Sequence, residues 1–447
     1  MMTTPLENRI REVTGARNRQ TLGDYQLSKF RETLAYAKKH SRFYRGCLSK
    51  TDPDSIRDSG DVRRVPFTTS EELAENPLDF VCVPPGEIGR IVTLPTSGTA
   101  GSSKRVFFTT DDQELTVDFF CSGMSALAGK NDRVLIFLPG KSEGSIGGLL
   151  VRALERIGCA GILHGPILDY TGACNAMRSH DADCAVGLPS QLFALSRLCT
   201  DIKLKSVLLC SDYIAASLKR AIESAWGAEV FSHYGMIESG LGGGVDCGAH
   251  LGYHMREADL LFEIVDPATG EPVPDGTQGE IVFTTLTRRG MPLVRYRTGD
   301  LSCVIPDPCP CGSFLRRLGH VSGRICDQAS TGVASNVSIS ALDEVLFGTP
   351  GLIGYTAGIV RGAGRDILTI TVHADDCGSA IREAESRVSD DPRLSGSLKQ
   401  GLLSIEFRKG GPEALTYGNT KRAIIRTGIK VATPRLECGV WSVECEV

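Results

Sequence analysis

Apolar residues recur at helical spacing at Leu27, Phe30, Leu34 and Ala37, which predicts an amphipathic helix over residues 22–44. From Arg105 to about Ser232 the pattern changes to short apolar runs alternating with longer helical stretches. RVLIFLP is followed by GGLLVRALERIG and AGILHG; SVLLCS is followed by AASLKRAIESAWG and EVFSHYG. That alternation predicts βαβ units and a parallel sheet. Residues 253–305 carry FEIVDP, EIVFTTL and PLVRYR, separated by turn chemistry at Pro267–Gly270 and Pro274–Gly276, which predicts antiparallel strands or a small barrel. Past Gly323, ISALDEVLF reads as a helix, GIVRG and ILTITVHA as strands, Ser379–Val388 as a helix and LLSIEFR as a strand. The expected architecture is α/β: a large N-terminal domain, residues 1–322, with parallel sheets and a small β-barrel-like part, then a small mobile C-terminal α+β lid, residues 323–447.

Composition narrows the function classes. Of 447 residues, 41% are hydrophobic and 23% charged, as in ordinary globular proteins. A net charge of −4 argues against a nucleic-acid partner, which usually needs a basic surplus. The first twenty residues are polar, so no secretory signal is expected, and no apolar run is long enough to predict a membrane span. The expectation is therefore a cytoplasmic protein whose 16 cysteines are reduced thiols, Cys159 and Cys210 behaving as small hydrophobes in apolar runs.

The most informative segment is Thr93–Thr109, TLPTSGTAGSSKRVFFT. Glycines let a backbone turn closely around an anion, and small hydroxyls and N–H groups donate to phosphate oxygens. A strand–glycine-rich loop–strand of this kind suits a polyphosphate, although it lacks the Gly-Lys-Ser/Thr of a Walker loop. A serine-rich surface hairpin is the plain alternative. Tyr234-Gly235-Met236-Ile237-Glu238 follows a predicted strand, which places it at the carboxyl edge of the sheet, where α/β ligand sites lie. Tyr296-Arg297-Thr298-Gly299-Asp300 closes an apolar strand, and Gly323-Arg324 with Asp327 opens the last unit. Taken singly, Glu238 reads equally as a helix N-terminal carboxylate and Asp300 as a turn residue.

In order and spacing, these motifs resemble the adenylate-forming (AMP-binding) enzymes, and within them the phenylacetate–CoA ligase family. SRFYRG near the N-terminus, VPFTTSEEL at 65–73 and GEIVFTTLTRRGMPLVRYRTGDL at 279–301 carry the same resemblance, which spans nearly the whole chain. It implies an acid–thiol ligase that forms an acyl-adenylate from a carboxylate and ATP, then passes the acyl group to coenzyme A. Thr96, Ser97, Gly98, Thr99 and Gly101 would cradle the β- and γ-phosphates, with Lys104 as a nearby cation. Glu238 would hold Mg²⁺, Tyr234 and Gly235 would flank the adenine and α-phosphate, Asp300 would accept the ribose hydroxyls, and Arg324 would approach the ribose or α-phosphate. Glu238, Thr99 and Lys421 are the implied catalytic residues. The sequence has no self-association signature; family members are often dimers, so a homodimer stays open.

Three positions depart from the family pattern. Ile237 stands where a small hydroxyl residue usually precedes the glutamate. Cys326 stands at the hinge acid, with Asp327 one step later. In Gly418-Asn419-Thr420-Lys421-Arg422, Asn419 stands where a lysine is expected, leaving Lys421 as its substitute. These departures keep two alternatives open: transfer to a protein or carrier thiol, and a nucleotide-binding homologue with impaired turnover. Cys247-x-x-His250 and Cys309-Pro-Cys311 form two close pairs of soft ligands that suit a structural tetrahedral Zn²⁺, with Cys303 and His254 as alternative ligands. Unliganded buried thiols are the competing reading. The acid itself is not legible; Phe137, Ser142, Ser145, Ile146 and Ser211-Asp212-Tyr213 are expected to line its pocket.

Overall fold

A computed structural model describes residues 3–95, 103–325, 337–360, 364–411, 415, 422 and 424–427. After a first helix, Pro5–Thr14, the helix expected over residues 22–44 runs Arg19–His40. It begins where the Asn18 side chain accepts from Thr21 N while the Thr21 side chain accepts from the Asn18 backbone. Phe30, Leu34 and Ala37 form its buried face.

The alternation from Arg133 onward builds five parallel strands, in sheet order Ala160–Leu163, Arg133–Ile136, Cys184–Gly187, Ser206–Leu209 and Glu229–Tyr234. Helices Ile146–Arg156, Tyr170–Ser179, Pro189–Leu198 and Ala216–Trp226 connect them. Beyond Glu229–Tyr234 the same sheet turns antiparallel through Gly244–Val245, Tyr253–Met255, Arg317–Leu318 and Val304–Ile305. Strand Glu229–Tyr234 is thus the seam between the two halves, and its carboxyl end delivers the YGMIE segment.

Four expectations are corrected. The KRVFFT run does not open the parallel sheet; Ser103–Thr109 pairs antiparallel with Ile88–Pro95 in a separate hairpin, with Leu94 opposite Lys104. Residues 253–305 do not close into a barrel. Strands Leu260–Val265, Gly279–Thr285, Tyr296–Ser302 and Gly323–Arg324 form an open antiparallel sheet, because its outer strands do not pair with each other among the described residues. Gly323 and Arg324, expected to open the C-terminal unit, are the edge strand of this sheet, opposite Leu301 and Asp300. Finally, not every described cysteine is a free thiol: Cys174 and Cys199, brought within 5.9 Å at Cα, are joined as a disulfide.

The C-terminal residues form a mixed sheet, ordered Leu403–Gly410, Asp366–Ala374, Leu352–Val360 and Ile425–Thr427. Helices Ile339–Leu346, Cys377–Asp390 and Pro392–Lys399 accompany it; the last was not expected from the pattern. This unit shares one hydrophobic core with the large domain, in which Leu342, Leu346 and Phe347 belong to the same cluster as Phe193, Leu218 and Trp226. Polar ties join the two as well: the Glu344 carboxylate accepts from Tyr213 OH at 2.8 Å and from Ala216 N at 3.1 Å. Among the described residues, no helix is long and apolar enough to cross a membrane.

Candidate active site

Glu238 sits in the short turn Ile237–Ser239 immediately after the seam strand and is 2% exposed. Gly235 is required there by close approach: a Cβ would stand 2.6 Å from Leu241 O. Lys104, carried in from the hairpin, forms an ion pair with Glu238 Oε1. The Tyr296 hydroxyl donates to the same oxygen at 3.2 Å, and Lys104 Nζ donates to Tyr296 OH and to Ser70 Oγ, both at 3.2 Å. Arg288 Nη1 donates to the Glu238 carbonyl at 2.7 Å, pinning the turn from below.

A second polar pair lies alongside. The Tyr234 hydroxyl donates to Asp300 Oδ2 at 3.2 Å, and Arg324 Nε lies 2.8 Å from Asp300 Oδ1. The strand register places Arg324 directly opposite Asp300, so the antiparallel sheet aligns this pair.

Burial pushes the Glu238 carboxyl up, but the Lys104 charge and hydrogen bonds more than offset this, and the group stays below its ordinary value. Burial, helped by the nearby carboxylates, raises Tyr234 and Tyr296 well above the usual phenol value, so both hydroxyls remain donors at neutral pH. The site is a buried carboxylate with a fixed cation and two phenol donors, arranged at the carboxyl end of a parallel sheet. Such a set can orient a polyanion and balance its charge.

A cleft open to solvent lies on the Ile237 side of the turn. Its wall is mostly apolar: Val92, Phe137, Leu138, Ile146, Leu188, Ile237 and Leu241 line it, together with Ser145, Ser211 and the cation Arg90. The Ile237 departure therefore has a structural place, as an apolar wall of the cleft. Ser211 lies there with φ of 71°, a sparsely populated conformation for a residue other than glycine. A second apolar cavity shares Leu138 and Ile146 with the cleft and is lined in part by His233. Burial depresses His233 to about 4, so it is neutral at pH 7.

The soft-ligand cluster is corrected in one member. Ligand atoms of Cys247, His254, Cys309 and Cys311 lie within 4.8 Å of one another. Cys247 and Cys309 Sγ are 3.7 Å apart, and Cys311 Sγ is 3.3 Å from His254 Nε2. His250 is not part of it. At φ of 52°, its ring instead meets the Asp246 and Glu229 carboxylates at 3.1 and 3.0 Å. Strand register explains the exchange: His254 pairs with Arg317, whose strand follows the Cys309–Cys311 turn.

Of the expected site residues, Lys104, Tyr234, Gly235, Glu238, Asp300 and Arg324 are brought together on one side of the hairpin and seam strand. Thr96, Ser97, Gly98, Thr99, Gly101, Cys326, Asp327, Asn419 and Lys421 lie outside the described residues. Of the expected cleft residues, Phe137, Ser145, Ile146 and Ser211 line it. Ser142 gives its carbonyl to the Ser145 hydroxyl, Tyr213 turns to Glu344, and Asp212 accepts from the backbone N–H of Tyr213 and of Arg422. Tyr296 and Ser70 were within quoted motifs but had no role assigned, because partners 34 to 192 residues apart leave no local signal.

Residues 51–286, just over half of the chain, match the AMP-binding enzyme family. Over 407 residues the chain is 28% identical to phenylacetate–coenzyme A ligase of Thermus thermophilus, covering 87% of this chain and 86% of that one. It is 26% identical over 427 residues to the enzyme of the same name from Aromatoleum evansii, covering 90% and 93%. Its fold is similar to that of 2-hydroxyisobutyryl-CoA ligase in the postadenylation state in complex with R3-HIB-AMP. That match has a TM-score of 0.76 at 21% identity, covering 91% of this chain and 89% of that one. With Lys104, Glu238, Tyr296, Tyr234 and Asp300 gathered where the parallel sheet ends, the chain belongs to the AMP-binding enzyme family.

Proposed function

We propose that this protein is an ATP-dependent, AMP-forming acid–CoA ligase of the phenylacetate–CoA ligase type. The carrying observation is that one turn, Ile237–Ser239, separates a buried polar site from an apolar cleft. An acid seated in the cleft would present its carboxylate toward the Glu238 side, where the α-phosphorus of ATP would be held for in-line attack. Asp300 would accept the ribose hydroxyls and Tyr234 would lie against the nucleotide, with Arg324 beside them. Thr96, Ser97, Gly98, Thr99 and Gly101 would hold the β- and γ-phosphates. Glu238 would hold Mg²⁺, a hard ion that takes carboxylate and phosphate oxygens and supplies charge neutralisation during pyrophosphate departure. Lys421 would supply the cation expected at Asn419. Its chain neighbour supports this: Arg422 donates its backbone N–H to Asp212, beside Ser211 of the cleft, and ion-pairs with Asp343. The adenylate would then be consumed by the thiol of coenzyme A.

The test is ATP–pyrophosphate exchange with Mg²⁺ across aryl and aliphatic acids, followed by thioester formation on adding coenzyme A. Acid-stimulated exchange with CoA-dependent product is the expected result; nucleotide binding with no exchange for any acid would overturn it.

A structural Zn²⁺ held by Cys247, His254, Cys309 and Cys311 belongs to the same reading. Tetrahedral thiolates with bonds of ~2.3 Å stand roughly 3.7 Å apart, which the Cys247–Cys309 spacing matches, so the donor set suits the ion. One equivalent of zinc is expected by elemental analysis of protein purified without chelator, falling well below one in Cys309→Ser.

A further inference from the structure

We propose that Arg90 determines substrate choice by binding a second carboxylate at the far end of the acid, so that the preferred substrates are dicarboxylic acids with an apolar body. This rests on the ligase reading and goes beyond it by naming the acid class.

Arg90 lies on strand Ile88–Pro95, with Val92 two residues on, and both line the cleft, as the period-two alternation of a strand requires. Among the described residues, Arg90 alone of the charged side chains lines the cleft or the second cavity, and the ring of His233 in the latter is neutral at pH 7. Arg90 Nε is buried and has no hydrogen-bond partner among the described residues. A guanidinium N–H shut away from water without an acceptor is costly, and native structures rarely leave one without an oxygen from protein, water or ligand. The guanidinium also suits a carboxylate by geometry, offering paired donors in a planar fork.

Position separates this cation from the nucleotide. Leu94 faces Lys104 across the hairpin, and Arg90 lies four residues back along the same strand, roughly 13 Å away. The two cations therefore stand at separate points along the hairpin, Arg90 lining the cleft and Lys104 paired with Glu238. Phe137, Ile146, Ile237 and Leu241 line the same cleft and suit hydrocarbon or an aromatic ring. Asp212, a carboxylate that would repel a second anion, is turned away to the backbone N–H groups of Tyr213 and Arg422.

The experiment compares matched acids in pyrophosphate exchange: phenylacetate against 4-carboxyphenylacetate, and hexanoate against adipate. In the wild type, kcat/KM is expected to be at least tenfold higher for the dicarboxylate of at least one pair. Arg90→Met should abolish or invert that preference with the KM for ATP unchanged, while Arg90→Lys retains part of it. Equal or better turnover of both monocarboxylates, or an unchanged ratio in Arg90→Met, overturns the proposal. Should no acid support exchange, the ligase reading fails by itself. Calorimetric titration of the same four acids then decides the Arg90 assignment: dicarboxylate binding lost in folded Arg90→Met upholds it, and equal or absent binding overturns it.

Discussion

The two sides of the Ile237–Ser239 turn differ in how their polar groups are satisfied. On the Glu238 side the central side chains are already paired: Glu238 with Lys104 and Tyr296, Asp300 with Tyr234 and Arg324. On the cleft side the walls are apolar and Arg90 Nε has no partner among the described residues. A site that performs one reaction on an invariant cosubstrate is served by groups held in place before binding, because reorganisation at the moment of reaction costs rate. A site that chooses among acids is served by shape and by one group whose demand only the right ligand meets.

The sharpest way to break this comparison is Glu238→Gln, which keeps the shape and removes the charge opposite Lys104. Exchange should fall by about 10²–10³, as for loss of a preorganised electrostatic group. The loss should be equal for every acid; a loss that depends on the acid would mean that the two sides are not separable. Asp300→Asn comes next. Losing a charged acceptor is worth roughly 1.5–3 kcal/mol, so the KM for ATP should rise about tenfold to a hundredfold with the ranking of acids unchanged.

From the cleft side, Ile237→Ala removes wall without touching a charge. Preference should shift toward bulkier acids by about tenfold in relative kcat/KM, while the KM for ATP stays near wild type. The last test reads stability against pH instead of turnover. His233 titrates near 4 in the folded protein and near its ordinary 6.5 when unfolded. Between those values the unfolded chain binds a proton that the folded chain refuses, so this contribution to stability is present above pH 6.5 and is lost as pH falls toward 4. The loss should reach on the order of 3 kcal/mol, and His233→Phe, whose ring would lie beside Phe119 and Phe120, should flatten it. Urea unfolding at pH 7, 5.5 and 4.5 reads both.

Much of the architecture was legible because it is written in local periodicity. RVLIFLP, SVLLCS and EVFSHYG are apolar runs of strand length separated by helical patterns, and all three became neighbouring or near-neighbouring parallel strands. What misled was also local. KRVFFT has the composition of a buried parallel strand, yet its partner is the strand just before it, since a short loop favours a hairpin over a crossover. The strands of 260–302 carry turn signals that fit a barrel and an open sheet equally, because closure depends on whether the edge strands meet.

The metal cluster shows the same limit. Cys247-x-x-His250 has the spacing of a ligand knuckle, but spacing does not specify direction. His250 points to two carboxylates, and it is the pairing of Tyr253–Met255 with Arg317–Leu318 that carries His254 to Cys311.

By itself the sequence determined the family, the order of the motifs and the identity of Glu238, Asp300, Tyr234 and Lys104 as the residues to watch, since these are properties of residue type and spacing. Only the tertiary structure decided that Lys104 meets Glu238, that His254 rather than His250 joins the cysteines, that Ile237 walls an apolar cleft and that Arg90 Nε has no partner there among the described residues. Each of these is a relation across a strand register or a sheet seam, and pairings between distant segments are set by packing of the whole chain rather than by any stretch of it.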